Sequence, residues 1–287
     1  MRYAYYPGCC MHATAQEYDS SWRAVAEALG IELAEMPGWN CCGTVHATNV
    51  GRLVSIGLAA RNLGIAERLG LDLIAPCSGC YKNLRTSAQA LRADSALRAE
   101  VNQHLAQPYE GAVVVKHPLY VILQDVGLEA LGKPKRPLKG LKVAPYYGCV
   151  LTRPVDPEPV DDPENPQGLD QLLERLGAEV VDYYPSKTKC CGGGVLLSHT
   201  DIALDLTGKL LRQAKRVGAD CLAVACPMCQ MVLDAYQYQV EGRLHERFDL
   251  PILYFTQLMG LAMGIDERRL GLNKLFVSPA PVLGPAA

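Results

Sequence analysis

The amino-acid sequence predicts an α/β protein with two pseudo-symmetric domains, each a small, mainly parallel sheet flanked by helices. Its 287 residues are enough for two domains of ordinary size. One cysteine pattern occurs twice, and strand-like and helix-like segments alternate in each half, as they do in parallel α/β sheets. We place the domains at residues 1–134 and 135–287, with the boundary in the stretch 133–138, which is rich in lysine, arginine and proline.

Each half contains three predicted strands, and each strand precedes a predicted helix. The first half has predicted strands at residues 2–6, 31–36 and 71–75 and predicted helices at 15–29, 50–69 and from 79 onward. The second half has predicted strands at 142–147, 179–183 and 221–225 and predicted helices at 168–176, 201–217 and from the last strand through 236. Cysteines follow the strand ends, where α/β sheets usually place their ligands.

Ten of the twelve cysteines form two copies of one pattern: a lone cysteine, an adjacent pair and a C-x-x-C pair. The first copy consists of Cys9, Cys41, Cys42, Cys77 and Cys80, and the second of Cys149, Cys190, Cys191, Cys226 and Cys229. In both copies 34 residues separate the adjacent pair from the C-x-x-C pair. The lone cysteine and the adjacent pair are separated by 31 residues in the first copy and by 40 in the second. The repetition agrees with two domains that each carry a set of cysteines.

Five cysteines are an odd number, so neither copy can be satisfied by its own disulfides. The adjacent pairs also make poor disulfides, because consecutive Cα atoms lie about 3.8 Å apart and a relaxed disulfide needs roughly 4.4–6.8 Å. Zinc and an ordinary iron–sulfur cube each take four protein ligands. Five thiolates exceed both sets, so the count indicates a metal cluster of unusual shape.

Composition and charge exclude several classes of function. The formal net charge is −2 and the isoelectric point is about 6.3, so the chain has no basic footprint for nucleic acid. The apolar stretch 250–262 is too short for a direct membrane span, and no N-terminal targeting segment is visible before Cys9. We expect a cytoplasmic protein, because cysteines that hold a metal need a reducing compartment.

The cysteine pattern resembles that of the cysteine-rich B subunit of heterodisulfide reductase and of its bacterial relatives. Two complete copies carry the resemblance over essentially the whole chain, and the flanking runs Cys77-Ser78-Gly79-Cys80-Tyr81 and Cys226-Pro227-Met228-Cys229 match as well. The second copy departs slightly, with a longer segment before its cysteine pair. The proline-rich and acidic excursion at residues 152–167 explains this difference.

The resemblance implies two CCG domains, each holding one non-cubane [4Fe-4S] cluster through the five cysteines of its motif. In the family the two clusters lie close together and clamp a disulfide, which implies catalytic roles for Cys42 and Cys191 and a thiol or disulfide substrate. It also implies a complex in which a ferredoxin-like iron–sulfur C subunit and a flavin-bearing A subunit pass electrons. The chain is therefore expected to act as an oxidoreductase on sulfur groups inside that complex.

Several residues outside the motif are weaker candidates. Cys221 is expected to be a packing residue, since it lies in an apolar strand. Packing is also favoured for Cys10, with a role as a spare ligand as the alternative because it neighbours Cys9. Four histidines are candidate proton donors for two thiolate products, although a structural role is the favoured interpretation for each: His12, His46, His117 and His199. The excursion 152–167 and the C-terminal arm 276–287 are predicted docking surfaces for partner subunits.

Two other functions are alternatives to disulfide chemistry. One is an iron–sulfur electron-transfer subunit of a quinone-linked dehydrogenase or of a sulfur-oxidising complex, but two intact copies favour catalysis because a relay needs only one. The other is a structural zinc protein, which five thiolates per copy disfavour.

Overall fold

Two four-stranded sheets organise the chain, one in each half, and all paired strands run parallel. The computed structural model describes residues 1–153 and 160–283. The strands of the first sheet, in the order β2-β1-β3-β4, are β1 (Arg2–Tyr5), β2 (Glu32–Glu35), β3 (Leu73–Ile74) and β4 (Val115–Lys116). Those of the second sheet, in the matching order β6-β5-β7-β8, are β5 (Lys142–Tyr146), β6 (Glu179–Val180), β7 (Cys221–Val224) and β8 (Ile252–Tyr254).

Helices connect the strands and cover the sheets. In the first half they are α1 (Gly8–His12), α2 (Gln16–Ala28), α3 (Thr44–Val50), α4 (Arg52–Arg68), α5 (Ser78–Ala93), α6 (Ser95–Asn102) and α7 (Pro118–Tyr120). In the second half they are α8 (Gly168–Arg175), α9 (Thr200–Arg216), α10 (Pro227–Asp234), α11 (Gln237–Leu244), α12 (Phe255–Ala262) and α13 (Ala280–Leu283). Short π- or 3-10-helical turns cover Val121–Val126, Leu128–Leu131, Gly193–Val195 and Leu272–Lys274.

The predicted α/β class with mainly parallel sheets is confirmed. Each step between paired strands passes through a helix, as parallel pairing requires. The sequence did not predict the fourth strands, because β4 has only two residues and β8 lies in an apolar run without alternation. The helix predicted over 50–69 is α4, which begins after the extended residue Gly51, and the sequence did not predict the short helix α3 that precedes it. The division between residues 134 and 135 stays a prediction.

One continuous hydrophobic core extends through both halves. The halves meet where α2 packs against α12. There the rings of Tyr18 and Tyr254 stack with their centroids 4.2 Å apart, and the hydroxyl groups of Ser21 and Thr256 form a buried hydrogen bond of 2.7 Å. Burial of this interface fixes the two sheets relative to each other.

The chain after α12 returns to the first half and closes against α2. Gly271 has a φ of +66° and approaches Glu17 so closely that a Cβ on Gly271 would lie 2.8 Å from the Glu17 Cα. Further on, the amides of Phe276 and Val277 donate to the Asp234 carboxylate at 3.0 and 2.9 Å. The beginning of the predicted C-terminal arm is thus bound to the chain itself. Residues 284–287 of that arm and residues 154–159 of the predicted excursion lie outside the described residues.

A fully buried histidine, His117, follows β4 and lies between the two halves. Its Nε2 lies 2.8 Å from the carbonyl oxygen of Pro76 in the first half and 3.1 Å from that of Ala225 in the second. Its Nδ1 accepts a hydrogen bond from the Leu119 amide at 3.2 Å. Carbonyl oxygens only accept, so Nε2 carries the proton. Burial lowers the pKa of His117 to about 4, which keeps the ring neutral. His117 therefore has the structural role favoured from the sequence.

We expect Gly271→Ala to lower the free energy of unfolding by about 2 kcal/mol, because its Cβ is strained at positive φ and overlaps Glu17. Gly264→Ala is the matched control: its φ is +75°, but its Cβ would meet only the Lys135 side chain, at 3.6 Å. The control should lose about 1 kcal/mol or less. Urea unfolding of both variants measures the difference. Equal losses would contradict the tight contact between Gly271 and α2.

Stability should fall with decreasing pH because the unfolded chain protonates His117 while the folded chain keeps it neutral. Since folding lowers the pKa from 6.5 to about 4, this loss is absent above about pH 7 and grows as the pH falls toward 4. Between pH 7.5 and 5.5 it amounts to about 1 kcal/mol. Urea unfolding at both pH values should therefore show the wild type losing that much more than His117→Gln. A difference between the two proteins that does not change with pH would disprove the buried neutral ring.

Candidate metal centre

Three neighbouring strands of each sheet deliver five cysteines to one edge. Because parallel strands all end at the same edge, cysteines far apart in sequence meet there. In the first half Cys9 follows the central strand β1, the pair Cys41 and Cys42 follows β2, and Cys77 and Cys80 open α5 after β3. The second half repeats this with Cys149 after β5, Cys190 and Cys191 after β6, and Cys226 and Cys229 at the start of α10 after β7. We call these sets the first and second cysteine sites.

The thiols of the first cysteine site form one connected network. The Sγ atoms of Cys42 and Cys80 are 3.1 Å apart, and Cys80 also hydrogen-bonds to Cys77. Cys41 hydrogen-bonds to Cys9. Cys10 lies next to these thiols, because interactions with Cys77 and Cys9 are the main causes that raise its pKa. α1 thus places the Cys10 thiol beside the site, which supports the spare-ligand alternative, and the role of Cys10 stays a prediction.

The second cysteine site has the same arrangement with five thiols. The Sγ atoms of Cys191 and Cys229 are 3.3 Å apart, and Cys229 also hydrogen-bonds to Cys226. Cys149 hydrogen-bonds to Cys190. Val150 occupies the sequence position that corresponds to Cys10. The two sites therefore share their five motif thiols and differ by one additional thiol.

A tyrosine at the end of each central strand holds the loop before the cysteine pair. The Tyr6 hydroxyl donates to the carbonyl of Asn40 at 2.8 Å, immediately before Cys41. The corresponding Tyr146 hydroxyl donates to the carbonyl of Lys189 at 2.7 Å, immediately before Cys190. The first residue of each pair therefore has a fixed position relative to the central strand.

Backbone amides point at the thiols in both sites. The Gly43 amide lies 3.4 Å from the Cys41 Sγ, and the Gly192 amide lies 3.3 Å from the Cys190 Sγ. Both glycines have positive φ, +84° and +86°, which turns the chain sharply after each pair. Amides directed at sulfur stabilise thiolates and cluster sulfur atoms.

Two further glycines bring the lone-cysteine turn against the C-x-x-C thiols. Gly8 has a φ of +64°, and a Cβ there would lie 3.4 Å from the Cys80 Sγ. Gly148 has a φ of +72°, and a Cβ there would lie 3.1 Å from the Cys229 Sγ. Side chains at these positions would fill the space between the thiols, so each site depends on a bare backbone there.

Hydrogen bonds from neighbouring thiols lower the pKa of two cysteines in each site, Cys9 and Cys77 in the first and Cys190 and Cys191 in the second. The Cys10 thiol lowers the pKa of Cys9 to about 6. The Cys149 thiol lowers the pKa of Cys190 to about 6. Cys9 and Cys190 are both solvent-exposed, so each site offers a thiolate near neutral pH, the form that binds metal.

The residues present fit a sulfur-ligated metal group. All twelve cysteines are unpaired, and soft thiolates in such numbers are the donor set of iron–sulfur clusters and of zinc. The amides of Gly43 and Gly192 supply the hydrogen bonds that cluster sulfur atoms accept. Within the described ranges, no three His, Cys, Asp or Glu side chains converge on the position of a single metal ion.

The two C-x-x-C turns meet at the interface between the halves. The Ser78 hydroxyl, one residue after Cys77, donates to the carbonyl of Ala225 at 3.2 Å, and Ala225 directly precedes Cys226. Tyr18 lies beside both turns: burial, and then the charges of Cys226 and Cys77, raise its pKa. Its buried hydroxyl has no hydrogen-bond partner among the residues that the structure describes.

The remaining candidates lie in the core or at the surface. Cys221 is fully buried in β7, which confirms it as a core residue. His46 and His199 are exposed on the segments that follow the cysteine pairs. His12 is exposed and lies 3.5 Å from Glu35. Sequence reasoning missed the interdomain role of His117, and no local pattern could have revealed it because its partners are far away in the sequence.

The chain matches the family model of the CCG cysteine-rich domain twice, over residues 3–85 and 143–234. The two matches contain all ten motif cysteines. They also correspond to the parts of the chain that build the two cysteine sites.

Relatives resemble the chain over nearly its whole length. It is 36% identical over 274 residues to the 8-methylmenaquinol:fumarate reductase membrane anchor subunit of Wolinella succinogenes, covering 94% of this chain and 95% of the relative. It is 33% identical over 282 residues to the heterodisulfide reductase B-subunit-like protein of Archaeoglobus profundus, covering 94% and 93%. It is 29% identical over 273 residues to the B subunit of the ferredoxin/F420H2-dependent CoB-CoM heterodisulfide reductase of Methanosarcina acetivorans, covering 93% and 91%.

Within residues 1–153 and 160–283, no helix has both the length and the apolar character to cross a membrane.

A crystal structure of a hypothetical protein from Helicobacter pylori has the same fold, with a TM-score of 0.79 and 16% identity. The alignment covers 96% of this chain and 52% of that chain, so this chain spans about half the length of that protein. The family matches and the relatives assign the chain to a family, whereas that structure shows only the shared fold. The chain belongs to the CCG cysteine-rich domain family and, within it, to the relatives of the heterodisulfide reductase B subunit.

Proposed function

We propose that the chain is the iron–sulfur catalytic subunit of a heterodisulfide reductase-like complex, which cleaves or forms a disulfide between two non-cubane [4Fe-4S] clusters. One observation carries this proposal: the C-x-x-C turns of the two five-cysteine sites meet at a buried interface, joined by the hydrogen bond from Ser78 to Ala225. A protein that only relays electrons does not require two equivalent sites side by side. A protein in which two sites act on one substrate does require this.

The ten motif cysteines are the proposed ligands, five for each cluster. Among them we assign the catalytic role to Cys42 and Cys191, the second residue of each adjacent pair. Both are buried and lie 3.1 and 3.3 Å from the Sγ atoms of Cys80 and Cys229. When bound, each cluster would supply one electron and an iron able to accept sulfur.

The protein contributes position and exclusion of water. Cleavage of a disulfide consumes two electrons and two protons and gives two thiols, so two one-electron sites can share the reaction. The buried rings of Tyr18 and Tyr254 close the interface behind the two C-x-x-C turns. Cys9, Cys41 and Cys190 are exposed, so each site is accessible to a substrate from solvent.

We also propose that the protein works in a complex, with a ferredoxin-like iron–sulfur C subunit and a flavin-bearing A subunit. The relatives support this, since their names describe subunits of larger reductases. We place the complex in the reducing cytoplasm, where twelve unpaired cysteines stay reduced.

A second candidate function is electron transfer without disulfide chemistry, in a quinone-linked dehydrogenase or a sulfur-oxidising complex. The relative from Wolinella succinogenes favours it, because that protein is named as a subunit of an 8-methylmenaquinol:fumarate reductase. The two functions differ in one respect: only the disulfide enzyme needs thiols to bind at the clusters. Electron paramagnetic resonance spectra of the oxidised protein, with and without candidate thiols, separate them.

Anaerobically prepared protein should contain about eight iron atoms per chain. The variants Cys42→Ser and Cys191→Ser should each lose or convert only the cluster of the site that carries the substitution. Disulfide turnover in the complex should collapse in either variant, because both sites share the reaction. Cys221→Ala is the matched control and should keep its iron, since Cys221 lies in the core of β7. Iron analysis, resonance spectra and turnover are the measurements. Zinc in place of iron, or full turnover by Cys42→Ser, would refute the two-cluster proposal.

Gly148→Ala should disturb the second cluster alone, because the new Cβ would lie 3.1 Å from the Cys229 Sγ. We expect roughly half of the iron to be lost, with the signal of the first cluster retained. Gly218→Ala is the control, since its φ is +73° but a Cβ there has no heavy atom within 4 Å. If Gly148→Ala and Gly218→Ala hold the same iron, the close approach of Gly148 does not shape the site.

A further inference from the structure

We infer that His117 is a positioning residue that sets the separation of the two cysteine sites, so that one disulfide can reach both. The inference rests on the proposed two-cluster function and adds to it the residue that keeps the two sites close enough to act on one disulfide. His117 touches neither site directly. It acts through the backbone that immediately precedes Cys77 and Cys226.

The hydrogen bonds of His117 connect the two sites by a short path. One N–H, at Nε2, is shared between the Pro76 carbonyl at 2.8 Å and the Ala225 carbonyl at 3.1 Å. Each of these residues is bonded directly to the first cysteine of a C-x-x-C pair. This shared N–H therefore fixes the distance between the two cysteine turns, and its loss would let that distance change.

The ring of His117 is itself held from both halves. Its Nδ1 accepts the Leu119 amide at 3.2 Å, which fixes the orientation of the ring at the start of α7. The ring also packs against Tyr81 of the first half and Phe255 of the second, with centroids 5.8 and 6.3 Å away. The residue is fully buried, so water cannot replace its hydrogen bonds.

A comparison of the two halves distinguishes the positioning role of His117 from a role in local folding. When the pairing registers of β4 and β8 are aligned, Tyr254 takes the place in the second half that His117 has in the first, and Tyr254 stacks on Tyr18. The second half therefore forms its cysteine site without a histidine at this position. His117 occurs once, where the two halves meet, as expected for a residue that relates two sites rather than building one.

Three variants of the full chain in its complex separate the two functions of the ring. His117→Asn keeps an oxygen that can accept the Leu119 amide but is too short to reach both carbonyls. His117→Gln keeps a longer amide N–H that can reach them but loses the acceptor at Nδ1. Tyr254→Phe, at the corresponding position, is the matched control because it keeps the stacked ring.

We expect His117→Asn to retain both clusters by iron analysis while the magnetic interaction between the reduced clusters weakens and disulfide turnover falls about tenfold to a hundredfold. Binding of a single thiol at each cluster should be unchanged. His117→Gln should recover most of the interaction and turnover, and Tyr254→Phe should match the wild type. Hydrogen exchange of the Leu119 amide reports the capping role separately and should be fast in His117→Gln alone.

Wild-type magnetic interaction and turnover in His117→Asn would overturn the inference. Loss of iron to the same extent in His117→Asn and His117→Gln would also overturn it, since it would assign His117 to local folding. A different result would show that the proposed function is wrong: the wild type would hold both clusters and show their magnetic interaction but cleave no disulfide. In that case the comparison of magnetic interaction among the variants still decides the role of His117.

Discussion

The structure depends on bringing five thiols from three distant chain segments to one edge of a sheet without pairing them as disulfides. A parallel sheet meets this constraint because all its strands end at the same edge. The lone cysteine follows the central strand, and the adjacent pair and the C-x-x-C pair follow its two neighbours. Glycines with positive φ, such as Gly43, then turn the backbone sharply enough for the thiols to meet.

The outermost strands serve a different purpose from the three that carry cysteines. β4 and β8 are followed by His117 and by α12, and both contribute to the interface between the halves. Each sheet thus builds a site with three strands and joins the other half through the fourth. β4 has only two residues, and its contribution to the structure is to place His117 between the halves.

The sequence predicted the features that depend on local spacing. Alternation of apolar residues and the cysteine intervals were sufficient for the α/β class, the order of the elements and the two sets of five cysteines. Features that depend on distant contacts were not predictable, because His117 bonds to residues 41 and 108 positions away in the sequence. The direction of the Cys10 thiol was not predictable for a related reason: it depends on the turn of α1, which the sequence does not reveal.

The internal repeat holds for the backbone more closely than for the chemistry of the two sites. Strand order, the turns after the cysteine pairs and the tyrosines Tyr6 and Tyr146 are the same in both halves. Cys10 gives the first site a thiol that Val150 does not supply to the second. A thiol that donates hydrogen bonds to neighbouring sulfur atoms changes the charge that those atoms can carry. The repeated backbone therefore places two equivalent sets of five thiols, while single substitutions between the copies make their environments unequal.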